Sequence, residues 1–150
     1  MTTSENSMYQ IYLHAGKWEP LELDNFFKFL TSRLGLTSSD LVTIVLADDS
    51  YMQTLNRTHR GKDAPTNVLS YASDLNEELG DLIFGFETIC AECAKQNTSI
   101  KQHMMHLIVH GSLHLLGYDH ESEGEAAIME ALEIKVLDEF GVPNPYEPAL

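Results

Sequence analysis

The sequence predicts an α+β fold: a single domain over residues 1–150, with a small, mostly parallel or mixed sheet of about four strands covered by helices. Three observations predict it. Segments of strand character and segments of helical period are mixed without a strict βαβα alternation. A chain of 150 residues, 43% of them hydrophobic, fills one core and requires no second. Neither an internal repeat nor a linker-like stretch divides it.

Residues 9–14 alternate in strand fashion, and residues 41–47 form an apolar, β-branched run suited to a buried strand. Between them Leu23, Phe26, Phe27 and Leu30 recur at i, i+3, i+4 and i+7, which predicts a helix that Gly35 stops. Asp48 or Asp49 caps a second helix carrying Tyr51, Met52 and Leu55. The basic stretch 57–62 then leads into a loop, because Pro65 pushes the residue before it toward extended geometry. Residues 68–71 and 79–86 read as two further strands around a polar turn at 73–77. Residues 87–96 are helical in pattern, and Ser99 caps a long helix that ends at Gly117. Ser122 with Glu125 has the spacing of a capping box for a last helix, which Gly141 ends. The proline-rich tail 143–148 is expected to lie extended on the surface. Strand order is not encoded in this pattern.

The formal net charge of −14 excludes a protein that coats nucleic acid through a broad basic surface. Acids gather toward the C-terminus, among them Glu121, Glu123, Glu125, Glu130, Glu133, Asp138 and Glu139, while Arg57, Arg60 and Lys62 crowd one short segment with His59. Such a patch steers a polyanion to one place, so any contact with nucleic acid is expected to be focal and salt-sensitive. No apolar run approaches the roughly 20 residues of a membrane span. Met1-Thr2-Thr3-Ser4-Glu5 lacks the basic start and apolar centre of a secretory signal, so a cytoplasmic protein with no membrane partner is expected. Cys90 and Cys93 cannot make a disulfide framework and read as small buried residues, the alternatives being a metal ligand or a redox pair.

The chemistry concentrates in His110-x3-His114-x2-Gly117-x2-His120. His110 and His114 lie four apart on a predicted helix, which puts their rings on one face with Cβ atoms about 5–6 Å apart. Gly117 suits the left-handed conformation that ends a helix and lets His120 turn back toward that face. Three neutral imidazoles leave one tetrahedral position open, the mark of a catalytic zinc site. His106 is eight residues from His114, about 12 Å along a helix axis, so those two cannot share an ion. His106 with His110 has no third partner in the sequence, and both His103 and His106 read as hydrogen-bonded helix residues. One divalent ion per chain is expected, zinc by ligand type, with nickel or another transition metal suiting the same nitrogens.

The ligand spacing equals that of the metzincin proteases, H-E-x-x-H-x-x-G-x-x-H, except that Gly111 stands where they carry a glutamate base. The segment as it stands, HGSLHLLGYDH from His110 to His120, closely resembles the signature of the bacterial YbeY family of rRNA-maturation endoribonucleases. A second block, NRTHRGKDAPTNVLSY over residues 56–71, resembles that family's other characteristic stretch, and Leu79-Gly80-Asp81 a third, shorter one. The departures are mild: His59 stands where the family more often has an aromatic, and Phe84-Gly85-Phe86 is less typical.

The resemblance implies a single-strand-specific endoribonuclease that hydrolyses RNA phosphodiester bonds in rRNA 3′-end maturation and ribosome quality control. Ribosomes or ribosomal proteins are then expected partners. Zinc on His110, His114 and His120 would lower the pKa of bound water from about 15.7 to about 7, or polarise a phosphoryl oxygen. Charge growing on non-bridging oxygens suits the planar fork of a guanidinium, and Arg60 is the candidate catalytic residue. Lys62 and Arg57 are expected to steer substrate. Asp119 would orient a ligand imidazole or supply the missing base. Attack by water and attack by a ribose 2′-hydroxyl are both compatible with these residues. Two rival functions use the same cage: a zinc metalloprotease or amide hydrolase, and a non-catalytic, metal-stabilised ribosome-assembly factor.

Overall fold

The computed structural model describes residues 7–147; the opening five residues, read above for a leader, and Pro148 of the tail lie outside the described residues. Four strands and five helices are present among them, in the order β1 (Tyr9–Leu13), α1 (Asp24–Arg33), β2 (Leu41–Ala47), α2 (Asp49–Arg60), β3 (Val68–Ala72), β4 (Glu78–Gly85), α3 (Phe86–Gln96), α4 (Ile100–Leu115) and α5 (Glu123–Glu139). One mixed sheet results, in the order β1-β2-β4-β3. The polar turn makes β3 and β4 an antiparallel hairpin. β1 with β2 and β2 with β4 are parallel, and such pairs need long crossovers, which α1 and the segment 48–77 supply.

Side chains alternate across a strand, so the two faces of β2 serve two cores. Val42, Ile44 and Leu46, with Leu82 and Phe84 of β4, meet α1, α4 and α5 in the main core. On the other side a smaller cluster of Ala47, Met52, Leu69 and Ile83 seats α2. The local signals that start helices act as expected. Asp48, rather than Asp49, caps α2 by accepting from Tyr51 N (2.9 Å), while Asp49 accepts from the Thr88 amide and hydroxyl at the head of α3. Ser99 and Ser122 cap α4 and α5 through Gln102 N and Glu125 N, each at 3.1 Å.

Two glycines bring α4 down onto the sheet. A Cβ on Gly111 would stand 2.6 Å from Leu82 Cδ2, and one on Gly80 would stand 2.3 Å from Tyr71 O and 2.7 Å from Leu115 Cδ2. The last turns of α4, which carry His110 and His114, are therefore pressed against β4 with no room for a side chain between.

The tail keeps to the surface, with Pro143, Tyr146 and Glu147 exposed, but it turns rather than running extended. Val142 is buried, Asn144 accepts from Tyr146 N at 2.8 Å, and the Tyr146 hydroxyl donates to Glu133 at 2.7 Å. The turn at Asn144 aims the phenol inward, where its hydroxyl finds a carboxylate that sequence spacing does not reveal. Cys93 is buried and Cys90 partly so, both as free thiols; burial pushes the Cys93 thiol up to about 11, which suits a packing residue. Among the described residues no helix is long and apolar enough to cross a membrane.

Candidate metal centre and its groove

α4 buries Met104, Ile108, Gly111 and Leu115 and turns a row of imidazoles the other way. Its end is built as a Schellman motif: Tyr118 N bonds Leu113 O, Gly117 N bonds His114 O, and Gly117 takes φ +103°. That reversal places Tyr118 O 3.1 Å from His114 Nδ1 and returns His120 to the helix face. One ligand atom each from His110, His114 and His120 then lie within 4.8 Å of one another.

The arrangement fits a metal. His110 Nδ1 donates to Glu133 Oε2 (2.9 Å) and His114 Nδ1 to Tyr118 O, so the Nε2 atoms of both rings face each other at 3.1 Å. Two nitrogens each about 2.0–2.1 Å from one tetrahedral ion stand about 3.3 Å apart. Burial, and then the neighbouring His110, push the His114 imidazole below its ordinary pKa, toward the neutral form that a metal requires.

Glu133 is the group that holds this geometry. Its carboxylate is fully buried, with Oε1 accepting from His106 Nε2 (2.8 Å) and the Tyr146 hydroxyl while Oε2 accepts from His110. Burial alone would raise its pKa, but the three hydrogen bonds outweigh it and hold the carboxyl at about 2. A metal-ligating histidine is ordinarily fixed through its second nitrogen in this way. His103 is tied similarly, to Glu92 at 2.8 Å.

Beside the cluster lies a groove of about 580 Å³ whose walls include Arg60, Asn67, Ser70, His114, Tyr118 and Asp119. Arg60, the last residue of α2, is exposed and forms no ion pair with a described residue. The loop after it is clamped by Asn56 Nδ2 donating to Ala64 O (2.9 Å) and by Asn67 Nδ2 donating to Glu92 (3.1 Å). Arg57 instead reaches Asp63 at 3.4 Å, both side chains largely exposed, and neither Arg57 nor Lys62 is part of the groove wall. Asp119 lines the groove, and its Oδ1 accepts from the main-chain N–H of His120 at 2.7 Å rather than from a ligand imidazole.

A family model described as endoribonuclease YbeY matches residues 13–141. The chain belongs to the YbeY family. Among its relatives are proteins named endoribonuclease YbeY from Magnetococcus marinus, 47% identical over 70% of this chain and 82% of the relative, and from Jannaschia sp., 40% identical over 91% and 98%. A third, from Paramagnetospirillum magneticum, is 51% identical over 70% of each chain. The fold is similar to the solution structure of a Thermotoga maritima protein, with a TM-score of 0.60 at 25% identity, covering 89% of this chain and 91% of that one.

The geometry gives the YbeY motifs physical reasons. Asn56 and Asn67 clamp the loop that follows Arg60, Gly80 admits the end of α4, and Gly117 makes the reversal. Gly111 faces Leu82, so the position that carries the base in metzincins points into the sheet here and away from the histidines. Glu133 and Tyr146 escaped the sequence reading, which named Glu133 only among the acids gathered toward the C-terminus. A signal for it did exist. Glu133 sits four residues from both Met129 and Leu137, on the buried stripe of α5, where a lone carboxylate needs partners.

Proposed function

We propose that this chain is a metal-dependent endoribonuclease that hydrolyses phosphodiester bonds in single-stranded RNA during rRNA 3′-end maturation and quality control, acting on ribosomal particles in the cytoplasm. The carrying observation is an Arg60 that forms no ion pair with a described residue and shares a groove wall with three convergent imidazoles in a chain of net charge −14. A guanidinium with no carboxylate partner among the described residues is available to a phosphate, and membership of an endoribonuclease family gives the polymer that carries it.

The roles follow from position. His110, His114 and His120 hold the ion, taken to be zinc on the chemistry of three imidazoles. When bound there it supplies Lewis acidity toward a phosphoryl oxygen and toward water. Arg60 binds the non-bridging oxygens of the scissile phosphate and stabilises the charge that grows on them. Glu133 keeps His110 in one tautomer and one orientation. Asp119 fixes the main chain that carries His120. Arg57 and Lys62, off the wall, only steer the polyanion toward the groove.

The amide-hydrolase reading lacks the metzincin glutamate, since Gly111 stands in its place and faces Leu82, which leaves Asp119 of the groove wall as the carboxylate it would need. The deciding experiment compares cleavage of single-stranded and duplex RNA by wild type and Arg60→Glu, with metal content measured on the same samples. Wild type should cut the single strand and spare the duplex. Arg60→Glu should keep its fold and metal and lose about 10²–10³ in rate, the usual cost of removing one charge-stabilising donor. Cleavage by Arg60→Glu at the parental rate would overturn the assignment, and a wild type that binds rRNA without cutting it would favour the assembly factor.

A further inference from the structure

A second hollow, of about 230 Å³, shares His110 and His120 with the Arg60 groove but is otherwise walled by α5 and the tail. Its size falls below the roughly 300–1,000 Å³ of sites for drug-sized ligands, which suits a single heteroaromatic ring. Ala126 and Met129 supply an apolar floor. Tyr146 supplies an aromatic wall whose hydroxyl is tied to Glu133 at 2.7 Å and lies 3.3 Å from His106, so the ring is oriented before anything binds. The walls carry no lysine or arginine, and two carboxylates, Glu130 and Glu133, lie there. No lysine or arginine here offers a fork to a phosphate, whereas a base needs none.

The geometry points to this hollow as a nucleobase subsite that takes an unstacked RNA base bearing an exocyclic amino group, next to the scissile phosphate. This rests on the endoribonuclease reading above. Both Glu133 oxygens are already taken by His106, Tyr146 and His110, whereas Glu130 is exposed and makes no hydrogen bond to a described residue. Glu130 is thus the free acceptor at the rim. Carboxylates accept from the amino group of cytosine, whereas uracil presents a carbonyl oxygen at the same ring position. Splayed bases of single strands are held by aromatic stacking, which Tyr146 offers. The strand would then cross the histidines with its phosphate toward Arg60 and one base toward α5.

Two readouts test this in the zinc-loaded full chain. In NMR titrations, cytidine should shift the Ala126 methyl and Tyr146 ring resonances with an affinity about tenfold above that of uridine. Glu130→Gln should bring the two nucleosides together, and Ala126→Phe should abolish the Tyr146 response to both while metal content and melting temperature stay at parental values. In cleavage, an oligouridylate with one cytidine should be cut beside the cytidine about tenfold faster than at uridine steps, and Glu130→Gln should erase that difference. The inference is overturned if cytidine leaves both resonances unmoved, if uridine moves them equally, or if the preference survives Glu130→Gln. Cytidine-specific shifts in a protein that cuts no RNA would sink the nuclease reading and leave the base site standing. RNA cleavage without those shifts would do the reverse.

Discussion

Glu133 Oε2 accepts a 2.9 Å hydrogen bond from His110 Nδ1, joining the middle of α5 to the helix that carries the candidate ligands. The carboxylate has no exposed surface, so the pair is neither screened nor replaced by water. Substituting Glu133→Gln keeps the shape but offers one acceptor oxygen where three donors converge. Metal affinity should fall about 10–100-fold, the usual cost of losing a ligand's orienting partner. Competition titration with a chromophoric chelator measures it.

The same carboxylate sets a response to acid. Its folded pKa, about 2, lies below the ordinary value of 4.5, so the native state binds fewer protons there than the unfolded chain. The stability it contributes is complete above about pH 4.5 and is lost as pH falls toward 2. Melting temperature measured from pH 6 to 2 should drop through that window in wild type, with a shallower slope in Glu133→Gln.

Gly111 gives a packing test. Gly111→Ala places a methyl 2.6 Å from Leu82 Cδ2 in a fully packed interface, which should cost about 1–3 kcal/mol and lift the ligand-bearing end of α4. Denaturant unfolding should show the loss, and the double variant with Leu82→Ala should recover part of it. Equal stability of wild type and Gly111→Ala would contradict the close approach.

Gly117 tests the reversal without touching the core, since a Cβ there meets nothing within 4 Å. Its φ of +103° is strained for any residue with a side chain, so Gly117→Ala should cost about 1–2 kcal/mol from backbone conformation. Displacement of His120 should weaken metal binding, while His110 and His114 still give residual affinity in calorimetry.

Much of this molecule was legible because its determinants are local. The capping residues Asp48, Ser99 and Ser122, the i,i+4 histidine pair and the reversal at Gly117 all act within a few residues of where they stand in the chain. Strand order was not legible, because β4 lies between β2 and β3 through a crossover that no local pattern specifies. The partner of His110 was hidden for the same reason, lying 23 residues away on another helix, and Tyr146 lay in a stretch whose prolines spoke only of irregular backbone. Asp119 reaches the groove wall as its place beside the histidines suggests, and one of its oxygens accepts from the His120 amide, a bond short carboxylates make readily.

The tyrosine that reaches back from the tail also imposes a timetable. Chains are made from the N-terminus, so His120 emerges before Glu133, and Glu133 before the phenol at position 146 that completes its set of donors. Throughout that interval the imidazoles lack their full buttress. A nascent copy therefore gains its finished site only after Tyr146 has left the ribosome.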